Sequence, residues 1–191
     1  MNPSRGLPHL LLRLQAMTWL VLGRREQARS VFDSMLQRWP ADAYALASRA
    51  HLHAQCGHPH LALADARALV QHHPAANAAH WFNLAYLLEA EGQLSEAEAA
   101  FREAVGQDPA LDRAWYGLGL VLIRLGRYDD AVAALKRNTE LQPMSPYGWY
   151  QLARVHMDRH DPEATRKIIR HLHGFEPKVA AQLERETGLA P

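Results

Sequence analysis

The chain has 191 residues, of which 48% are hydrophobic and 21% charged, and its formal net charge is +1. That is ample core material for one domain; the near-neutral balance excludes the basic footprint of a nucleic-acid binder and a polybasic membrane anchor. The single cysteine, Cys56, excludes an intramolecular disulfide and leaves no demand for an oxidising compartment.

The first apolar stretch runs from Leu10 to Leu22 and is interrupted by Arg13, Gln15 and Thr18. It is too short to span a bilayer, and no small-residue cleavage site precedes Arg24 and Arg25. It is therefore predicted as a helix of the fold, in a cytoplasmic protein without membrane insertion. From there a proline recurs at Pro40, Pro74, Pro109, Pro143 and Pro177, in steps of 34, 35, 34 and 34 residues. A fixed period of this size means stacked copies of one supersecondary unit. With the proline numbered 32, the units are 9–42, 43–76, 78–111, 112–145 and 146–179, and Asn77 is a one-residue insertion.

In the repeat pattern, positions 1–14 carry large apolar residues at 4, 7 and 11 and a small one at 8, most fully in units 78–111 and 112–145, which is one face of a helix. Position 4 is Leu12, Leu46, Trp81, Trp115 and Trp149, and position 8 is Ala16, Ala50, Ala85, Gly119 and Ala153. The small residue permits close approach of a second helix. Position 15 is Gly23, Gly57, Gly92, Gly126 and, in the last unit, His160, and here glycine ends the first helix in a left-handed conformation. Positions 17–30 form the second helix, with position 20 being Ala28, Ala62, Ala97, Ala131 and Thr165. The proline at 32 then stops it. Asp42, Asn77, Ser145 and Asp161 stand where helix caps are expected. Residues 178–187 are predicted as an amphipathic helix, with Val179, Ala180 and Leu183 on one side and Glu184, Arg185 and Glu186 on the other, stopped by Gly188.

These residues resemble the tetratricopeptide repeat family. Unit 112–145 is the best match, with Trp115, Leu118, Gly119, Leu122, Tyr128, Ala131, Leu135 and Pro143, and it departs at Asn138, where the family has alanine. The resemblance covers residues 9–179 and implies one all-α domain. That domain would be a right-handed superhelical solenoid of five helix-turn-helix repeats, closed by a capping helix at 178–187. It also implies that the stripe of each first helix opposite positions 4, 7, 8 and 11 lines a concave surface.

That stripe carries Tyr44, Ser48 and His51, then Phe82, Asn83 and Tyr86, then Arg113 and Tyr116, then Tyr147, Tyr150 and Gln151. Aromatics interleaved with amides and arginine suit a protein or peptide partner, because tyrosine buries large area at little entropy cost. The bland alternative is a solvated face whose tyrosines only cover their neighbours. A C-terminal-carboxylate clamp of the kind some family members carry would be incomplete, since Asn83 and Arg113 fill two slots but Ala47, His51 and Gly117 hold the others. In the first unit the same stripe is Leu10, Leu14, Met17 and Val21, so that helix is apolar nearly all round. Either it is a seam for a second copy or a partner helix, or the residues 1–8 fold back over it.

No catalytic motif is present: Gly23, Gly57, Gly92 and Gly126 recur at position 15 as helix stops and form no phosphate-binding loop, and no serine sits in a nucleophile motif. Among twelve histidines the densest cluster, His51, His53, Cys56, His58 and His60, lacks the ligand spacing of a zinc site. No metal and no cofactor are expected, and Cys56 is read as a packing residue. The reading is a non-catalytic interaction scaffold or adaptor. The rival is a self-associating structural protein, or a chaperone-like accessory factor of a bacterial assembly or secretion system.

Overall fold

The computed structural model describes residues 6–75 and 77–190. Among them there are eleven α-helices and no strand. In chain order they are α1 (Gly6–Val21), α2 (Arg25–Arg38), α3 (Ala43–Gln55), α4 (Pro59–His72), α5 (Ala78–Ala90), α6 (Leu94–Gln107), α7 (Asp112–Arg124), α8 (Tyr128–Leu141), α9 (Pro146–Asp158), α10 (Pro162–His173) and α11 (Pro177–Thr187). The even helices begin at position 17 of their units, where the period places them. The chain divides into two compact units, Met1–Leu87 and Leu88–Pro191, with the division falling inside α5.

The turns repeat because one piece of chemistry repeats. Gly23, Gly57, Gly92 and Gly126 have φ between 69° and 74°. The following N–H reaches back to the carbonyl at position 11 in each case: Arg24 to Trp19 at 2.8 Å, His58 to His53 at 2.8 Å, Gln93 to Leu88 at 2.9 Å, Arg127 to Leu122 at 2.9 Å. This is the double-bonded helix stop that needs a left-handed residue. The last unit makes the same turn without glycine, for His160 has φ 58° and Asp161 N–H bonds the His156 carbonyl at 2.8 Å. At the other ends, Asp42 and Asp161 accept from the N–H groups of Ala45 (2.9 Å) and Ala164 (3.1 Å). Asn77 accepts from Ala79 N–H at 2.8 Å. Ser145 makes no such bond: Pro146 already fills the first helical position.

In Met1–Leu87, α1 packs on α2, α2 on α3 and α3 on α4. Ala16, Ala28, Phe32, Met35, Ala45, Leu46 and Leu69 form the buried core. One ionic network crosses three helices: Arg49 of α3 binds Asp65 of α4 through two bonds of 2.6 and 2.8 Å and Asp33 of α2 at 2.7 Å. Hydrogen bonding to Asp65 keeps the guanidinium protonated far above any physiological pH. Cys56 is exposed, contrary to the packing role expected of it, because it stands at the C-cap of α3 where the chain turns into solvent.

In Leu88–Pro191, consecutive helices from α6 to α11 pack in turn, and the odd helices also touch, α7 with α9 and α9 with α11. Phe101, Leu122, Leu135, Ile169, Leu172 and Leu183 are fully buried among them. The small position 8 works as expected, since a Cβ on Gly119 would stand 2.7 Å from Leu135 Cδ2. The proline carbonyls are also used: the indole N–H of Trp115 donates to Pro109 at 3.0 Å and that of Trp149 to Pro143 at 2.9 Å. Trp81 does the same to Pro74 at 2.7 Å in the first unit. Tryptophan at position 4 thus satisfies the carbonyl that a helix-stopping proline leaves open.

Candidate functional site

Each of the two compact units carries a concavity lined mainly by first helices. In Met1–Leu87 it is a cavity of about 310 Å³, near the low end of ligand-site sizes. Its floor is Ala50, Ala66 and Leu69, and its rim is His51, Phe82, Asn83 and Tyr86. The small side chains of α3, Ala47, Ala50 and Ala54, leave the space. The Tyr86 ring is 60% exposed beside it, and His51 Nε2 lies 2.8 Å from Gln55 Nε2. His80 also lines the cavity, with Nδ1 buried and unpaired. Burial holds its imidazole below the ordinary range, and His73 adds to the effect.

In Leu88–Pro191 the row α7, α9 and α11 forms a second concavity of about 490 Å³. Tyr116, Tyr147, Tyr150 and Gln151 line one side, and Glu176, Val179 and Gln182 the other. Tyr147 is 72% exposed. Tyr150 is held: its hydroxyl donates to Glu186 at 2.6 Å, and Arg154 lies 5.9 Å from its ring centre. That bond raises the Tyr150 hydroxyl and lowers the Glu186 carboxyl from their usual values.

Of the residues singled out by sequence, His51, Phe82, Asn83 and Tyr86 meet at the first concavity, and Tyr116, Tyr147, Tyr150 and Gln151 at the second. The others lie elsewhere. Tyr44 is half-buried, edge-on to Phe32 at 5.8 Å with the Arg13 guanidinium 4.2 Å from its ring centre. Ser48 is half-buried and Arg113 is exposed, and neither lines a concavity. Leu10, Leu14, Met17 and Val21 are exposed along α1, and Met1 to Arg5, five of the eight residues considered as their cover, lie outside the described residues. Sequence reasoning missed His80, a polar residue at a position that is alanine or glycine in the other late units, and it missed the inner face of α11. Continuing the 34-residue count past Pro177 would have placed α11 in the row of first helices.

Among the described residues no helix is long and apolar enough to cross a membrane. No group of three metal-ligating side chains occurs among them either.

Solved structures of the same architecture are numerous. A tetratricopeptide repeat protein from Parabacteroides merdae ATCC 43184 superposes with a TM-score of 0.81 at 19% identity, over 96% of this chain and 75% of that one. YrrB, described as a tetratricopeptide repeat protein with an unusual peptide-binding site, gives 0.79 at 16%, over 89% and 88%. MamA from Desulfovibrio magneticus RS-1, residues 41 to the end, gives 0.77 at 18%, over 96% and 99%. At these identities the likeness is one of fold. A search of curated protein sequences returned no match. Two family models described as Tetratricopeptide repeat match residues 48–112 and 88–155, together more than half of the chain. With the period, the left-handed turns and the helix order already in place, the chain belongs to the tetratricopeptide repeat family.

Proposed function

We propose that this chain is a non-catalytic adaptor that captures a peptide or a helix of a partner protein on the inner stripe of its first helices. Proteins of this family generally work by protein–protein interaction, and the finer assignment rests on the residues. The observation that carries it is the pairing of concavity with exposed aromatics, Tyr86 at the first hollow and Tyr147 at the second. Exposed tyrosines are unfavourable to leave wet and favourable to cover, so they act as anchors where a partner exists. The apolar floor of Ala50, Ala66 and Leu69 suits one large aliphatic or aromatic side chain, with Asn83 and His51 at hand for the partner's amides. YrrB, which shares the fold, is described as binding peptide.

The test is selection of binders from a displayed peptide library, followed by affinity measurement on Tyr86→Ala and Tyr147→Ala. Both side chains are exposed, so neither change should lower helicity by circular dichroism. Loss of about 10-fold or more in affinity in at least one variant is expected. Selected peptides whose affinity is unchanged in both would overturn the assignment.

A further inference from the structure

The exposed apolar residues of α1 are spaced in a particular way. Leu7, Leu10, Leu14, Met17 and Val21 follow one another in steps of three, four, three and four, and all are between 50% and 86% exposed. That is the 3.5-residue repeat of a coiled-coil seam, in which each side chain fits between four of a facing helix. Leu11 and Leu20 flank the seam and are exposed as well. The opposite face is already used: Ala16 is fully buried, and Leu12 and Trp19 pack on the core of the same unit. The only titratable side chains of α1 are engaged with that unit. His9 Nε2 lies 2.7 Å from Asp42 Oδ2, and Arg13 stacks on Tyr44.

We infer that this seam is a homodimer interface in which α1 of one copy packs against α1 of a second. An uncharged heptad stripe is complementary to itself and meets no like charge in its copy, so an isologous two-fold contact closes it. The exposed residues from Leu7 to Leu22 offer on the order of 800 Å² of apolar surface, one partner's share of a standard-size interface. A head-to-tail arrangement on α11 does not answer the seam, since Lys178, Gln182, Arg185 and Glu186 are the exposed side of that helix. This inference does not rest on the peptide-binding reading, and its test leaves both concavities unaltered.

The full chain is examined by sedimentation equilibrium up to about 100 μM. A mass of twice 21.5 kDa is expected. Leu14 lies at the middle of the seam, where it faces its own copy in parallel pairing and lies one layer from it in antiparallel pairing. Leu14→Glu and Leu14→Lys are each expected to be monomeric with unchanged helicity, and their equimolar mixture is expected to recover the dimer. A wild-type chain that stays at 21.5 kDa overturns the inference. So does a dimer that survives in both variants alone, and so does a monomer that floats with neutral phosphatidylcholine vesicles, which would give the seam to lipid.

Discussion

His160 occupies the one turn of its kind that lacks glycine, yet it adopts φ 58° and the same pair of backbone bonds as its four counterparts. A side chain in that region costs roughly 1–2 kcal/mol, less for histidine than for a branched residue. Glycine would remove the strain but would lose about 0.5–1 kcal/mol more entropy on folding. The net expectation is that His160→Gly raises stability by about 0.5–1 kcal/mol in urea unfolding. The reverse change, Gly126→His, should lower it by a similar amount. Equal stability of His160→Gly and the parent would mean that the imidazole makes a compensating contact. Elsewhere at this scale the residue type did not announce its partner. Glu98 sits on α6 between Glu96 and Glu103, yet it is half-buried and binds both Arg102 at 2.9 Å and Arg127 at 2.7 Å. Its second partner lies 29 residues away, beyond the reach of any helical pattern.

The helices were legible because their limits depend on glycine, proline and apolar spacing, all local and all repeated. Departures from the repeat were legible as departures, but their compensation was not. Asn138 stands where alanine is the family's choice, and α8 and α9 show why it is tolerated. Its carboxamide donates to the Asp112 carbonyl at 2.9 Å and fills the space beside Gly148, where a Cβ would collide with its oxygen. The equivalent pair between α6 and α7 is Ala104 and Ala114, both fully buried. Asparagine and glycine are therefore one joint substitution. Asn138→Ala is expected to cost about 1–2 kcal/mol through the lost hydrogen bond and the void. Gly148→Ala should cost about 1–3 kcal/mol through overpacking. The double variant rebuilds the alanine pair and should lie near the parent, with a coupling of at least about 1 kcal/mol in a double-mutant cycle. Simple additivity would show that the two positions are independent.

Across the whole molecule, the candidate contact residues were only partly legible, because the stripe gives direction and not depth. It pointed to Tyr86 and Tyr147, which stand open, but equally to Tyr44, which Arg13 and Phe32 cover. The same limit applies to the histidines, whose consequence for stability depends on which are buried. His53 and His156 share position 11, where α5 and α7 have Leu88 and Leu122, and both are buried, His53 with an unpaired Nδ1. Burial holds each below the ordinary imidazole value. Around His53 the charges are Asp65 and Asp33 against Arg49 and Arg29; around His156 they are Asp161 against Arg159 and Lys136. Neither carboxylate neighbour outweighs desolvation, although Asp161 Oδ2 comes within 3.3 Å of His156 Nδ1. His80 is displaced in the same direction. For all three the unfolded chain takes up a proton near pH ~6.5 while the folded chain does not, so stability falls as pH drops below that point and levels off below the folded value. Each imidazole contributes at most about 1.4 kcal/mol per pH unit in that window. The lowered carboxyls of Asp161 and Glu186 act in a separate, more acidic range, where their stabilisation is lost on protonation. The melting temperature should therefore drop between pH 6.5 and 5, and His53→Leu with His156→Leu should flatten that drop while raising stability at pH 5 more than at pH 8. A double variant with the parent's full pH slope would show that these two positions take up no protons on unfolding.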